Sequence, residues 1–279
     1  MSFLIRFARQ WIAGVTLDEA VERVKKENNS GMGAIINFLG EHVKDKAEAR
    51  MNMEENLKIL QEIDSKKIRA ALSIKLTQLG LLIDKNLCSS NVENIVSSAS
   101  SNNIFVWIDM ENSPYTEDTI DIYLDIIKKF RNTGIAIQAN LRRSESDVKK
   151  IAVAGGIIRL VKGAYSEKKE LAYQERSEVA INFSKLMGYL FYKSTFLAIA
   201  THDELLINEA IEANKAHQRR IEFQMLMGVR DELKNRLVKQ GFAVADYVPY
   251  GKTWFPYTTR RLRERKRNIL LIFRSIFDF

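Results

Sequence analysis

Short apolar runs recur along this chain at intervals of 22 to 39 residues, each followed by a segment with amphipathic helical spacing. They lie at 34–39, 72–76, 104–109, 135–139, 157–161, 196–200, 221–224 and 243–247. A buried run too short for a helix, followed by a helix, is the pattern of a βα unit whose strand is covered on both faces. Right-handed crossovers carry eight such units into a closed barrel. An open doubly wound sheet is the alternative, but no GxGxxG follows the first run and no GxxxxGK[ST] loop occurs. The expected fold is α/β, a (β/α)8 TIM-type barrel with extra N-terminal helices and a C-terminal helix.

One domain is expected over 1–279, with N-terminal helices in 1–33, the barrel in 34–267 and a closing helix in 268–279. Three prolines and thirteen glycines leave no linker-like break. Phe3, Leu4, Phe7, Ala8 and Trp11 fall at helical spacing, and Thr16 with Glu19 three residues on makes a capping box for the next helix. The N-terminus carries arginine and no acid before Asp18, as a presequence would, but it is short and a capped helix follows directly. Cys88 is the only cysteine, which excludes an intrachain disulfide and suits a reducing cytoplasm. His42, His202 and His217 are too scattered for a metal motif, so no metal is expected. No stretch reaches the roughly 18–20 apolar residues of a spanning helix.

Side chains alternate across a strand, so residues two apart share a face. Ser73 pairs with Lys75 in this way, Phe105 and Trp107 with Asp109, Ala136 with Gln138, and Ile157 with Arg159 and Val161. Lys75, Asp109, Gln138, Arg159, His202, Gln224 and Tyr247 end seven of the eight runs, and Glu41 follows the first. The C-terminal end of the strands is where this fold builds its active sites. Beyond the last run, YVPYGKTWFPYTTRRLRE (247–264) reads as a Pro/Gly loop and then a helix with Arg260 and Arg261 in its first turns. Two guanidinium forks at a helix N-terminus form a receptor for a carboxylate or phosphate. In RLVKGAY (159–165), Gly163 lets backbone approach a ligand closely. The mouth is net cationic and offers no legible Ser-His-Asp, Cys-His or paired-carboxylate arrangement. A cofactor that carries the chemistry would explain such a site.

The segments WIAGVTLDEA, INFLGE, SIKLTQLGL, WIDME, AIQANL, RLVKGAY, ATHD, EFQMLMG, VPYGKTW and YTTRRLRER, in this order, resemble proline dehydrogenase in its monofunctional, FAD-dependent bacterial or archaeal form. The resemblance spans nearly the whole chain. It implies oxidation of L-proline to 1-pyrroline-5-carboxylate by hydride transfer to FAD, with a quinone as the next electron acceptor. It assigns the proline carboxylate to Arg260 and Arg261 with help from Lys75, and the apolar part of the pocket to Tyr165, Leu226, Tyr247 and Tyr257. Glu41 matches an acid that pairs with Arg260 in a gate, Asp109 a residue supporting the site through hydrogen bonds, and Glu264 an acid bracing the arginines. Gln138, Arg159, Val161, Lys162, Gly163, Ala164, Thr201, His202 and Gln224 fall where the family contacts FAD.

The family often has ERPAN where this chain reads ERKRN (264–268), so the final helix starts differently or runs on. Between Arg260 and Arg274 seven basic residues face one acid, within a net charge of +8. A helix covering the barrel and a peripheral contact with an anionic membrane holding the quinone both remain open, the latter placing a cytoplasmic protein on the inner face of the cell membrane. Another flavin barrel, such as a folate reductase, is the enzymatic alternative. A basic binding protein is the non-enzymatic one, although aromatics do not interleave with the basic run as nucleic-acid stacking platforms would, and no nucleic acid is expected.

Overall fold

The computed structural model describes residue 5 and residues 8–262. Eight parallel strands close into a barrel in the order β1 to β8, with β1 paired to both β2 and β8. They are β1 Gly33–Phe38, β2 Ala70–Ile74, β3 Val106–Ile108, β4 Thr133–Gln138, β5 Ile157–Val161, β6 Phe196–Ala200, β7 Arg220–Leu226 and β8 Ala243–Tyr250. Ahead of the barrel lies α1 (Leu17–Asn29), and the crossovers are α2 (Lys46–Ser65), α3 (Lys85–Ser101), α4 (Thr116–Lys129), α5 (Ser144–Val153), α6 (Arg176–Lys193), α7 (Glu204–His217) and α8 (Asp231–Lys239). Among the described residues no helix is long and apolar enough to cross a membrane.

The expected alternation is present. Outward residues such as Leu72, Ile74, Val106, Ile108, Ile135 and Leu160 join one large core with the helices. Ile35, Trp107, Ala198 and Ala245 fill the barrel with Phe105, Ile157, Phe196 and Tyr247 packed against them. Small residues beside large ones let the interior close. A Cβ on Gly134 would stand 2.5 Å from the Trp107 ring, so that glycine makes room for the indole. The α1 capping box forms as expected: Thr16 Oγ1 accepts from Glu19 N (3.3 Å) and Glu19 Oε2 from Thr16 N (3.1 Å).

Three expectations need correction. Arg159, Gln224 and Tyr247 lie inside their strands, Lys75 and Asp109 one residue beyond theirs, and His202 two beyond; only Gln138 is a last strand residue. The Val248–Tyr250 segment is strand, not loop. Pro249 can stand there because its carbonyl edge meets the N-terminal segment, where Ala13 N donates to Pro249 O (2.8 Å), so the missing N–H breaks no ladder bond. Finally, helix begins at residue 254 and is already well advanced at Arg260 and Arg261. Pro256 fits its first turn, where a missing N–H is tolerated, and the two arginines lie beyond reach of the N-terminal dipole.

The N-terminal segment crosses the mouth. Ala8, Trp11 and Ile12 pack with Leu39 and Tyr257, and Gln10 O passes so close to Gly228 that a Cβ there would lie 1.6 Å away. Phe3, Leu4 and Phe7, the closing helix expected over 268–279, Glu264 and the basic residues Arg263, Arg265, Lys266, Arg267 and Arg274 lie outside the described residues.

Candidate active site

At the C-terminal end of the barrel one carboxylate gathers four donors. Asp109 Oδ2 accepts from Lys75 Nζ (2.6 Å) and Tyr247 Oη (2.7 Å), while Oδ1 accepts from Ser73 Oγ (2.7 Å) and Arg159 Nη2. The β2–β3 register that pairs Ser73 with Trp107 carries Lys75 to Asp109. Burial alone would raise the Asp109 carboxyl, but Lys75 and Arg159 hold it well below the usual carboxylate range. Burial pulls the Lys75 ammonium down, and Asp109 reverses this and leaves it well above its ordinary value. Burial, reinforced by the Asp109 charge, pushes Tyr247 well up. Arg159 sits over the Trp107 ring at 5.0 Å and donates to Gln224 Oε1 (3.4 Å), whose amide is oriented by donation to Glu222 Oε1 (2.7 Å).

A second constellation closes over the first. Arg260 grips Glu41 with both terminal nitrogens, at 2.8 and 3.1 Å. Tyr165 Oη donates to Glu41 Oε1 (3.4 Å), and the Arg260 guanidinium lies 5.9 Å from the Tyr165 ring. Burial would raise Glu41, but Lys75 and Arg260 bring it below its usual value. Arg261 stands over the Tyr257 ring at 5.4 Å. Glu41, Arg260 and Tyr165 are therefore brought together with the Asp109 cluster beside them, as are Arg261 and Tyr257.

The third group lies along β4 to β7. Gln138 Nε2 donates to Glu111 O (2.8 Å). Val161 ends β5, and Lys162, Gly163 and Ala164 run off it; Lys162 Nζ pairs with Asp203, which also caps α7. Thr201 Oγ1 accepts from Asp203 N (3.1 Å). Leu226 N donates to His202 Nε2 (2.9 Å), which requires the neutral imidazole, and burial with nearby Lys234 and Arg261 lowers His202 to about 3.

Thr77, Glu111 and Asn140 lie at the site without a sequence expectation that points to them. Extending the parity of Ser73–Lys75 to Thr77, and of Trp107–Asp109 to Glu111, would have found two of them, since Thr77 N donates to Glu111 Oε1 (3.0 Å). Asn140 carries no such signal.

A barrel mouth that joins buried cations to carboxylates and, among the described residues, shows no legible nucleophile–base arrangement has the form of a cofactor-dependent enzyme. The proline dehydrogenase family model matches residues 20–269. Proline dehydrogenase 1 of Bacillus subtilis (strain 168) is 36% identical over 272 residues, covering 96% of this chain and 90% of its own length. Proline dehydrogenase 2 of the same strain is 34% identical over 286 residues, covering 98% and 94%. The chain belongs to the proline dehydrogenase family. Among solved structures, proline utilization A (PutA) from Bdellovibrio bacteriovorus inactivated by N-propargylglycine superposes with a TM-score of 0.87 at 23% identity, a likeness of fold. The match covers 93% of this chain but only 32% of that longer protein.

Proposed function

We propose that the chain oxidises L-proline to 1-pyrroline-5-carboxylate as the first step of proline catabolism to glutamate, with FAD as cofactor and a quinone as electron acceptor. The observation that carries this reading is the Arg260–Glu41 fork closed beside the Asp109 hub, with Arg261 next to it. Arg260 and Arg261 bind the substrate carboxylate, and Lys75 adds charge. Tyr165, Leu226, Tyr247 and Tyr257 surround the ring. Glu41 closes on Arg260 as a gate.

Two observations fit a flavin on the β4–β5 side. Gly163 has φ +110°, and a Cβ there would lie 2.1 Å from Asn140 Oδ1, so only bare backbone can stand at that turn. Arg159 Nε and Asn140 Oδ1 are buried without hydrogen-bond partners, one donor and one acceptor that a polar ligand would satisfy. Gln138, Arg159, Val161, Lys162, Gly163, Ala164, Thr201, His202 and Gln224 would hold it. Bound there, FAD would supply the acceptor for the hydride lost from ring carbon 5. The ring nitrogen's lone pair would form the C=N bond as that hydride leaves, giving a protonated imine whose nitrogen proton would pass to water once the gate opens and the product leaves. The protein's part is to fix carbon 5 by the carboxylate clamp and to exclude water.

None of Glu41, Lys75, Asp109, Tyr165, His202 and Tyr247 is poised as a base near neutrality. Asp109 is held low, Tyr165 is driven up by burial, Lys75 and Tyr247 lie well above their ordinary values, and His202 is near 3. The pH dependence of kcat/KM should therefore follow proline's own amine, rising as its neutral fraction grows, with no second step contributed by these residues from about pH 5 to 9. A step in that window that moves in His202→Gln would contradict this. The reading as a whole is tested by colour: the purified protein should be yellow or take up FAD, and anaerobic L-proline should bleach it. A colourless protein that cannot be loaded with FAD sinks it. A quinone acceptor lies in a membrane, so the proposal includes a cytoplasmic protein in peripheral contact with the inner face of the cell membrane.

A further inference from the structure

The segment that carries Glu41 is strung between two anchors. On the strand side, Leu39 N donates to Tyr250 O (2.8 Å) and Leu39 O accepts from Thr253 Oγ1. On the far side, His42 N donates to Thr77 Oγ1 (2.9 Å) and Val43 N to Thr77 O (3.0 Å). His42 takes φ +61°, a left-handed conformation that a residue with a β-carbon keeps only when its surroundings hold it. Thr77 is itself fixed by Glu111, to which it donates both its backbone N–H (3.0 Å) and its hydroxyl proton. A hydroxyl has one proton. Because Glu111 takes it, a lone pair is presented to the His42 N–H.

We propose that Thr77, oriented by buried Glu111, is a latch that holds His42 in its left-handed turn, sets Glu41 against Arg260, and so controls how long a substrate stays under the gate. Both are positioning residues that act through the backbone of residues 42–43. Glu111 also ties this latch to the cofactor side, since its carbonyl accepts from Gln138 Nε2 (2.8 Å). The inference rests on the gate reading of Glu41 and Arg260.

The test uses the FAD-loaded protein and an unreactive probe, the proline analogue with ring oxygen in place of nitrogen, followed by stopped-flow changes in the flavin spectrum. Thr77→Val should speed probe release and raise KM by about tenfold, the order expected for one lost buried hydrogen-bond set, with kcat within about twofold. Thr77→Ser should restore both. In a Glu41→Gln background, Thr77→Val should add nothing, because the latch acts through Glu41. In the FAD-loaded protein without probe, trypsin should cut Thr77→Val faster than wild type after Lys44, which is exposed just beyond the latch. Should Thr77→Val not fold, Glu111→Gln, which leaves one acceptor oxygen where the Thr77 N–H and hydroxyl now use two, is expected to speed release by about threefold. Fast release in Glu41→Gln together with wild-type release in Thr77→Val overturns the latch alone, as do effects that multiply in the double variant. Wild-type release in Glu41→Gln overturns the gate reading itself.

Discussion

Asp109→Ala is expected to destabilise the fold by about 3–5 kcal/mol, the range for removing one partner of a buried ion pair, and to abolish proline oxidation. The reason is what remains behind. Lys75 and Arg159 are 8% and 3% exposed, so the substitution strands two cations that water cannot reach. Tyr247 and Ser73 lose their acceptor at the same time. For a chain of this size such a loss should lower Tm by roughly 10 °C. Asp109→Asn keeps the shape and one acceptor oxygen and should fall between alanine and the wild type.

The cause is separable from mere loss of contacts. If stranded charge dominates, Lys75→Met in the Asp109→Ala background should return part of the stability, because it removes one of the two uncompensated cations. Additive losses in that double variant would refute the charge argument. The pH dependence has a definite sign. Asp109 has a depressed folded pKa, so its contribution is complete above about pH 4, the ordinary carboxyl value, and is lost as pH falls toward the folded value. Lys75, raised in the fold, contributes fully below about pH 10 and loses that contribution only at higher pH. Wild type should therefore lose more stability on the acid side than Asp109→Ala, which keeps only the losses of its other depressed carboxylates such as Glu41 and Asp203.

The Asp109 hub also shows how far the sequence could be read. Period-2 alternation puts Ser73 with Lys75 and Trp107 with Asp109, and the recurrence of βα units brings those strands side by side, so this part of the site was legible. Strand ends were not. Pro249 looks like a terminator until the N-terminal segment is seen to supply the donor its carbonyl meets. Nor did the basic and acidic pattern disclose Lys234 and Asp246, which pair at 2.6 Å between α8 and β8 while both are fully enclosed. Burial there raises Asp246 to about 6 even with Lys234 beside it. Glu41 and Arg260 stand 219 residues apart, and no local signal joins them. Their pairing was expected from the family resemblance alone.

That pairing leads to the second large effect, expected in KM rather than in stability. Arg260→Met should raise KM for proline by roughly 10²-fold, while kcat falls by less than about tenfold; loss of one partner of a desolvated charge pair costs about 2–5 kcal/mol, and each 1.4 kcal/mol is tenfold. The carboxylate is not the reacting group, so its binding contributes similarly to ground and transition states, and uniform binding appears in KM. Arg260→Lys keeps the charge but not the planar fork that meets two oxygens at once, as it meets both oxygens of Glu41 here, and should recover only a fraction. Glu41→Gln provides the contrast. It frees the fork without removing it, so KM should move far less than in Arg260→Met while substrate release quickens. A wild-type KM in Arg260→Met would remove Arg260 from the carboxylate site. A loss confined to kcat would instead make the arginine an orienting group whose interaction develops only in the transition state.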